Sequence, residues 1–167
     1  MALPHLDAAY NLARWLAGND HDAADVVQEA YLRAFKYFHS FTGGNARAWL
    51  LSIVRNAAYD WRSRNREIPV GDAVAESDGS PDVFERAGGE DPFSLLLRER
   101  ERARINQAIA ALPLDSREVV VLREIEGLSY REIAEVLSIP MGTVMSRLAR
   151  ARDMLRKLLT GGRSSHT

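Results

Sequence analysis

The sequence predicts an all-α protein: two small helical domains joined by a flexible acidic linker. Apolar residues recur at helical spacing over most of the 167 residues, and caps or breakers bound each stretch. The one run that reads as a strand, Val119-Val120-Val121-Leu122, lies between capped helical patterns and has no second strand to pair with, so helix is expected there too. Residues 67–92 separate the halves. They are rich in glycine, proline and acid, and too poor in large apolar groups to bury a core of their own.

A first short helix is expected from Leu3 to Gly18, with Leu6, Tyr10, Ala13 and Leu16 or Ala17 on one side and Gly18-Asn19 as its stop. A second runs from about Asp22 to Ser40. Its apolar stripe is Val26, Val27, Ala30, Tyr31, Ala34, Phe35 and Phe38, and its polar side holds Asp22, Asp25, Gln28, Glu29 and Lys36. Phe41-Thr42-Gly43-Gly44-Asn45 follows as a flexible loop, since two glycines free the backbone and asparagine tolerates left-handed geometry. The third helix, about Ala46 to Arg64, buries Trp49 or Leu50, Ile53, Ala57 and Trp61, and exposes Arg47, Arg55, Asn56, Arg62 and Arg64. Beyond the linker, Asp91-Pro92 supplies an N-cap and a proline at the first helical position for a helix from Phe93 to Leu112. Its RERERAR run reads as a solvated face. Asp115 and Glu118, after Pro113, make a capping-box-like start for the next helix.

The stretch LSYREIAEVLSIPMGTVMSRLARARDML, from Leu128 to Leu155, carries the most specific signal. Ser129 and Glu132 form a capping box; Ile133, Val136 and Leu137 supply a buried stripe; Ser138-Ile139-Pro140 breaks the helix. In the helix that follows, Val144, Leu148, Ala151 and Leu155 share one face, while Thr143, Ser146, Arg147, Arg150 and Lys157 lie on the remainder. A short capped helix, a tight turn and a second, basic helix are the grammar of a helix-turn-helix DNA reader. Hydroxyls near the start of the second helix can hold phosphate, and arginine one turn on can bind guanine bidentately.

The whole segment LPLDSREVVVLREIEGLSYREIAEVLSIPMGTVMSRLARARDML resembles region 4 of bacterial sigma factors of the sigma-70 family, and DAADVVQEAYLRAFKYFHSFTGGNARAWLLSIVRNAAYDWRSR, from Asp22 to Arg64, resembles their region 2. Both occur in the family's order with nothing large between them, the layout of the extracytoplasmic-function (ECF) group. The resemblance implies region 2 over residues 1–66, a flexible acidic linker over 67–92, region 4 over 93–160 and a disordered tail over 161–167. The implied function is promoter-specific transcription initiation with core RNA polymerase, held in check by an anti-sigma factor. Its implied partners are the beta-prime clamp helices and beta flap of the polymerase, promoter DNA and that anti-sigma factor.

The resemblance also assigns residues. Asp25, Gln28 and Glu29 match the part of region 2 that docks on the polymerase clamp helices; two carboxylates and an amide one turn apart form an acceptor patch for a basic partner. The loop from Ser40 to Arg47 matches the part that recognises and melts the minus-ten element. There Asn45 can pair with a base edge, Phe41 and Trp49 offer apolar walls, and Arg47, Arg55, Arg62 and Arg64, with Asn56 beside them, face the displaced strand. Trp49 and Trp61 lie close to the apolar face, so a core role competes with base contact for both. In region 4 the family pattern puts base contacts at Ser146, Ala149 and Arg150, Met145 at a frequently basic position, and phosphate contacts at Arg131, Gly142, Thr143 and Arg147. Met145 and Ala149 depart from more polar versions and favour apolar contacts such as a thymine methyl.

Composition bounds the alternatives. A net charge of −1 resolves into +2 over residues 1–66, −7 over 67–92 and +4 over 93–167, so the acidity is concentrated in the linker. No apolar run approaches the roughly 20 residues that cross a bilayer, and no basic-then-apolar leader is evident. A cytoplasmic protein without membrane insertion is expected. The absence of cysteine excludes disulfides and thiolate metal sites within this chain. The competing reading within DNA binding is an ordinary helix-turn-helix regulator that binds an operator as a dimer. A metal-dependent hydrolase built on Asp20-His21-Asp22 is disfavoured, because His5, His21, His39 and His166 have no helical ligand spacing to one another. No catalytic residue, cofactor or metal is therefore expected.

Overall fold

The computed structural model describes residues 5–65 and 91–164, with side chains as far as Gly161. Most of the expected linker and the last three residues of the expected tail lie outside the described residues. Seven α-helices are described, and no strand.

The first, α1 (Leu6–Ala17), ends at Gly18 with φ 99°, a left-handed cap that glycine adopts without a Cβ penalty. Its burial differs from the expected stripe. Leu6 is exposed, whereas Ala9, Leu12, Ala13, Trp15, Leu16 and Ala17 are all buried. The reason is position: α1 is central, packed against the second, third and fifth helices, so its last two turns are covered on nearly every side. Even Arg14 is buried, with Nε 2.6 Å from an oxygen of Asp20.

Asn19 caps α2 (Asp20–Lys36) by accepting the amide of Asp22 at 2.8 Å. The core side of α2 is Ala23, Val26, Ala30 and Ala34, with Val27 and Tyr31 partly covered. Phe35 and Phe38, expected in that stripe, are instead 85% and 51% exposed. Phe35 is still within α2 but continues the partly covered edge of Val27 and Tyr31, and the helix stops at Lys36, where a 3-10 turn (Phe38–Ser40) redirects the chain and takes Phe38 out of the stripe. Gly43, at φ 85°, turns the loop toward α3 (Ala46–Arg64). Asn45 starts α3 by accepting the amide of Ala48 at 3.1 Å. Ala48, Leu50, Leu51, Val54, Ala57 and Ala58 are its buried residues, with Trp49, Ile53 and Trp61 half-covered at the edge.

Asp91 caps α4 (Pro92–Ala110) by accepting the amide of Ser94 at 2.7 Å, with Pro92 at the first helical position. The RERERAR run is not wholly solvated. Arg102 and Arg104 are half-buried, and Arg104 Nη2 donates to the carbonyl of Leu159. Next, α5 (Leu114–Val120) runs directly into a π-helical turn (Val121–Ile125), so the valine run is helical as expected. The capping box expected at its start is absent: Asp115 accepts the amide of Ser116, and Glu118 is fully buried elsewhere. The chain closes with α6 (Tyr130–Leu137) and α7 (Met141–Ser164), and α7 continues as helix past Gly161, where a tail is expected. One apolar cluster runs from α1, α2 and α3 into α5, α6 and α7, so the two halves pack directly on each other.

Candidate nucleic-acid interface

The helix-turn-helix forms as its sequence requires. Ser129 Oγ accepts the amide of Glu132 at 3.1 Å, and Glu132 Oε1 accepts the amide of Ser129 at 2.9 Å, a complete capping box. Ser138 adopts the left-handed region at φ 55° and ends α6. The Pro140 carbonyl then accepts the amides of Thr143 and Val144 to open α7. Val144, Leu148 and Ala151 seal α7 against the core, with Leu155 partly covered. Met145, Ser146, Ala149 and Arg150 share its exposed side, with Gly142 at its start; Arg131 is exposed on α6 and Thr143 half-buried at the margin. A Cβ at Gly142 would meet nothing within 4 Å, so packing does not demand a glycine there. Arg147 is half-buried, with Nη1 3.9 Å from a carboxylate oxygen of Glu118.

At the other face, Ser40, Phe41, Thr42, Gly44, Asn45, Ala48, Trp49 and Ser52 line a recess of about 250 Å³. Phe41 packs on Trp49 with ring centroids 5.1 Å apart, and Phe38 meets Trp49 edge-on at 6.5 Å. Trp49 therefore both closes the core and walls the recess. A ninth residue reaches the recess from α6: Glu135.

The arginines around this loop are less free than the sequence implies. Arg62 donates to the carbonyl of Leu16 at 3.0 Å. Only Asn56 and Arg64 of the expected exposed set are fully exposed; Arg47, Arg55 and Arg62 are half-buried. Asn45 Nδ2 donates to Glu132 Oε2 at 2.6 Å and Arg47 Nη2 to the same oxygen at 3.3 Å. Bonds from the Ser129 amide first, and then from Asn45 and Arg47, hold the Glu132 carboxyl down at about 2. Arg55 binds Glu118 bidentately, Nε to Oε2 at 3.0 Å and Nη2 to Oε1 at 3.3 Å, while its guanidinium lies 3.8 Å over the ring of Tyr59. Burial opposes the charge on Arg55, but Glu118 outweighs it and raises the guanidinium pKa. Burial first, and the Glu118 charge second, push the Tyr59 hydroxyl far up. Arg117 also joins the halves, donating to Trp15 O at 3.1 Å and to Ala110 and Leu112 carbonyls.

Glu118 and Glu132 are the residues that sequence reasoning missed as partners of these cations, and Glu135 is the one it missed as a wall of the recess. The signal for Glu118 was present: it sits between Leu114 and Leu122 at spacings of four, a carboxylate in the middle of an apolar helical stripe. A charge at such a position requires a partner.

On the polar side of α2, Asp25 and Gln28 are exposed, but Glu29 is half-buried and accepts Arg33 Nε at 3.2 Å, while Arg33 also reaches Asp60 of α3 at 2.9 Å. Leu32 and Phe35 lie exposed on the same helix, so the candidate docking face is mixed apolar and acidic. His21, Asp22 and Asp25 place one ligand atom each within 4.8 Å of one another. Asp22, however, bonds Asn19 at 2.6 Å as part of the helix cap. Among the described residues no helix is long and apolar enough to cross a membrane.

Comparison with known proteins places both halves. The family described as "Sigma-70 region 2" matches residues 1–68, and "Sigma-70, region 4" matches residues 102–155. The chain is 36% identical over 157 residues to an "ECF RNA polymerase sigma factor SigE" of Mycolicibacterium smegmatis, covering 93% of this chain and 58% of the relative. It is 39% identical to the "RNA polymerase sigma-H factor" of Pseudomonas aeruginosa, covering 83% of this chain and 73% of the relative, and 38% identical to the "ECF RNA polymerase sigma-E factor" of Escherichia coli, covering 80% and 72%. Among solved structures, the sigma factor RpoE in complex with the anti-sigma factor NepR from Bartonella quintana superposes with TM-score 0.67 at 29% identity, over 95% of this chain and 93% of that one. CnrH in complex with the cytosolic domain of CnrY gives 0.66 at 28% identity, over 95% and 84%.

Proposed function

We propose, for a chain that belongs to the extracytoplasmic-function group of the sigma-70 family of sigma factors, that it binds core RNA polymerase and directs promoter-specific transcription initiation. Matches to both regions in family order favour this over an operator-binding dimer. The observation that carries the reading is the pairing of two unlike surfaces in one chain. An exposed basic helix carries Ser146 and Arg150, and a recess of about 250 Å³ is walled by Phe41 and Trp49 beside Asn45.

In this reading α7 enters the major groove of the upstream element. Arg150 reads a base edge, Met145 and Ala149 meet apolar base surface, and Gly142 lets the backbone come close to a phosphate that Thr143 and Arg131 also hold. The recess takes a base extruded from the minus-ten element, against the few kcal/mol that unstacking costs. Arg47, Arg55, Arg62 and Arg64 neutralise the displaced strand, with Asn56 beside them. Asp25 and Gln28, with the exposed Leu32 and Phe35, dock on the polymerase clamp, and Glu29 orients that face through Arg33. Region 2 over residues 1–66 and region 4 over 93–160 act as separable units. One structural relative is solved in complex with an anti-sigma factor, and an anti-sigma factor is the natural inhibitor of this chain as well.

The test is association of the purified chain with core RNA polymerase, followed by run-off transcription from promoters selected by that holoenzyme. Promoters with two spaced elements are expected. A chain that binds palindromic DNA as a dimer and ignores core polymerase overturns the reading.

A further inference from the structure

Donors on the region 2 surface assigned above to nucleic acid lie at the contact between the halves, and carboxylates from α5 and α6 engage them. We propose that Glu118, Glu132 and Glu135 form an intramolecular latch that stands in for nucleic-acid phosphate. It holds the free chain closed, so that the strand-binding side of region 2 opens only when the halves part. The proposal rests on the reading of Asn45, Arg47 and Arg55 as strand contacts.

Three features carry it. First, the donors that Glu132 and Glu118 engage are those a displaced strand would use: Asn45, Arg47 and Arg55, from residues 63 to 87 positions away in the chain. Glutamate at these positions presents anionic oxygen to guanidinium in the geometry a phosphate would use. Second, Glu118 is fully buried and lies against a cation from each reader, Arg55 of α3 and Arg147 of α7. One carboxylate thus ties down cations of both DNA surfaces at once. Third, Glu135 forms part of the wall of the base-sized recess, so α6 stands where an extruded base would enter. The contact also suits a latch better than a permanent scaffold. A buried ion pair contributes little net stability compared with apolar packing, and its cations exchange a carboxylate for a phosphate without losing their compensation.

The full-length chain lends itself to a direct test because it contains no cysteine. Nitroxide labels on Lys36→Cys and Arg156→Cys, both exposed, report the separation of the halves by pulsed electron resonance. Fluorescence anisotropy with a labelled pool of single-stranded deoxyoligonucleotides reports strand binding. Glu118→Gln is the direct variant. The double variant Glu132→Gln/Glu135→Gln leaves the buried carboxylate intact and keeps the capping box, should Glu118→Gln fail to fold. Glu99→Gln/Glu101→Gln removes two exposed charges elsewhere and controls for net charge. The latch variants should shift the interspin distances to longer, broader values and tighten oligonucleotide binding, about tenfold for a chain that is nine parts in ten closed, while the control leaves the distances unchanged. Unchanged distances in the latch variants overturn the proposal. Separation of the halves without tighter binding also overturns it and locates the error in the strand-contact assignment; transcription with core polymerase then shows whether the sigma-factor reading itself survives.

Discussion

Glutamate 132 links the capping of α6 to the contact between the halves, and its replacement has a pH signature. Its carboxyl sits at about 2 against an ordinary 4.5, chiefly because it accepts the Ser129 amide, and then because Asn45 and Arg47 donate to it. A depressed folded-state pKa contributes stability that is fully present above 4.5 and is lost as the pH falls through about 2. At about 1.4 kcal/mol per pH unit the upper bound at neutral pH is about 3 kcal/mol, of which roughly 40% remains at pH 3. The Glu132 side chain is 22% exposed and Arg47 34% exposed, so solvent screening lowers that bound. Glu132→Gln keeps an oxygen for the Ser129 amide but loses the charge, and should destabilise the chain by about 1–2 kcal/mol at pH 7; Glu132→Ala also loses the cap, adding about 1 kcal/mol. Urea denaturation followed by circular dichroism, for wild type and Glu132→Gln from pH 7 to pH 3, checks this. The gap between the two should be constant down to about pH 5 and narrow below it. A gap that stays level or widens toward pH 3 would refute the assignment of the stabilisation to an ionised Glu132.

Leu148→Ala removes a fully buried side chain where α7 meets the core and should cost about 2–5 kcal/mol in urea titrations; less than 1 kcal/mol would mean that the seam is not packed as described. Arg150→Ala should cost about 1–3 kcal/mol in promoter binding and relax preference at one upstream base pair, whereas Arg131→Ala should weaken all sequences alike; a binding-site selection compares them. Asp25→Lys should raise the dissociation constant for core polymerase while leaving helical content unchanged, since Asp25 is exposed; unchanged affinity in moderate salt rules out that docking face. Gly18→Ala forces an alanine to φ 99° at the end of α1 and should lower stability by about 1 kcal/mol, read by thermal denaturation; a neutral result contradicts the left-handed cap.

What the sequence determined by itself was local. The capping box at Ser129 and Glu132, the break before Pro140, the Asp91-Pro92 start and the bounds of α3 are written in neighbouring residues, because caps and breakers act within one turn. The apolar face of α7 was legible for the same reason: Val144, Leu148 and Ala151 repeat with the helix and all three are buried. The candidate reader of the upstream element rests on that local pattern. Side chains whose environment is set by distant helices were not legible. Phe35 and Phe38 continue the apolar period of α2, yet among the described residues Phe35 stays exposed at the end of the helix and Phe38, beyond it, is only half covered, edge-on to Trp49. Glu118 has the spacing of a cap but is fully buried against Arg55 and Arg147, and Arg47 and Arg55 pair with carboxylates far along the chain. Periodicity specifies which face of a helix is buried; only tertiary packing decides what covers it, because partners more than 60 residues apart leave no mark at the spacing of a helical turn.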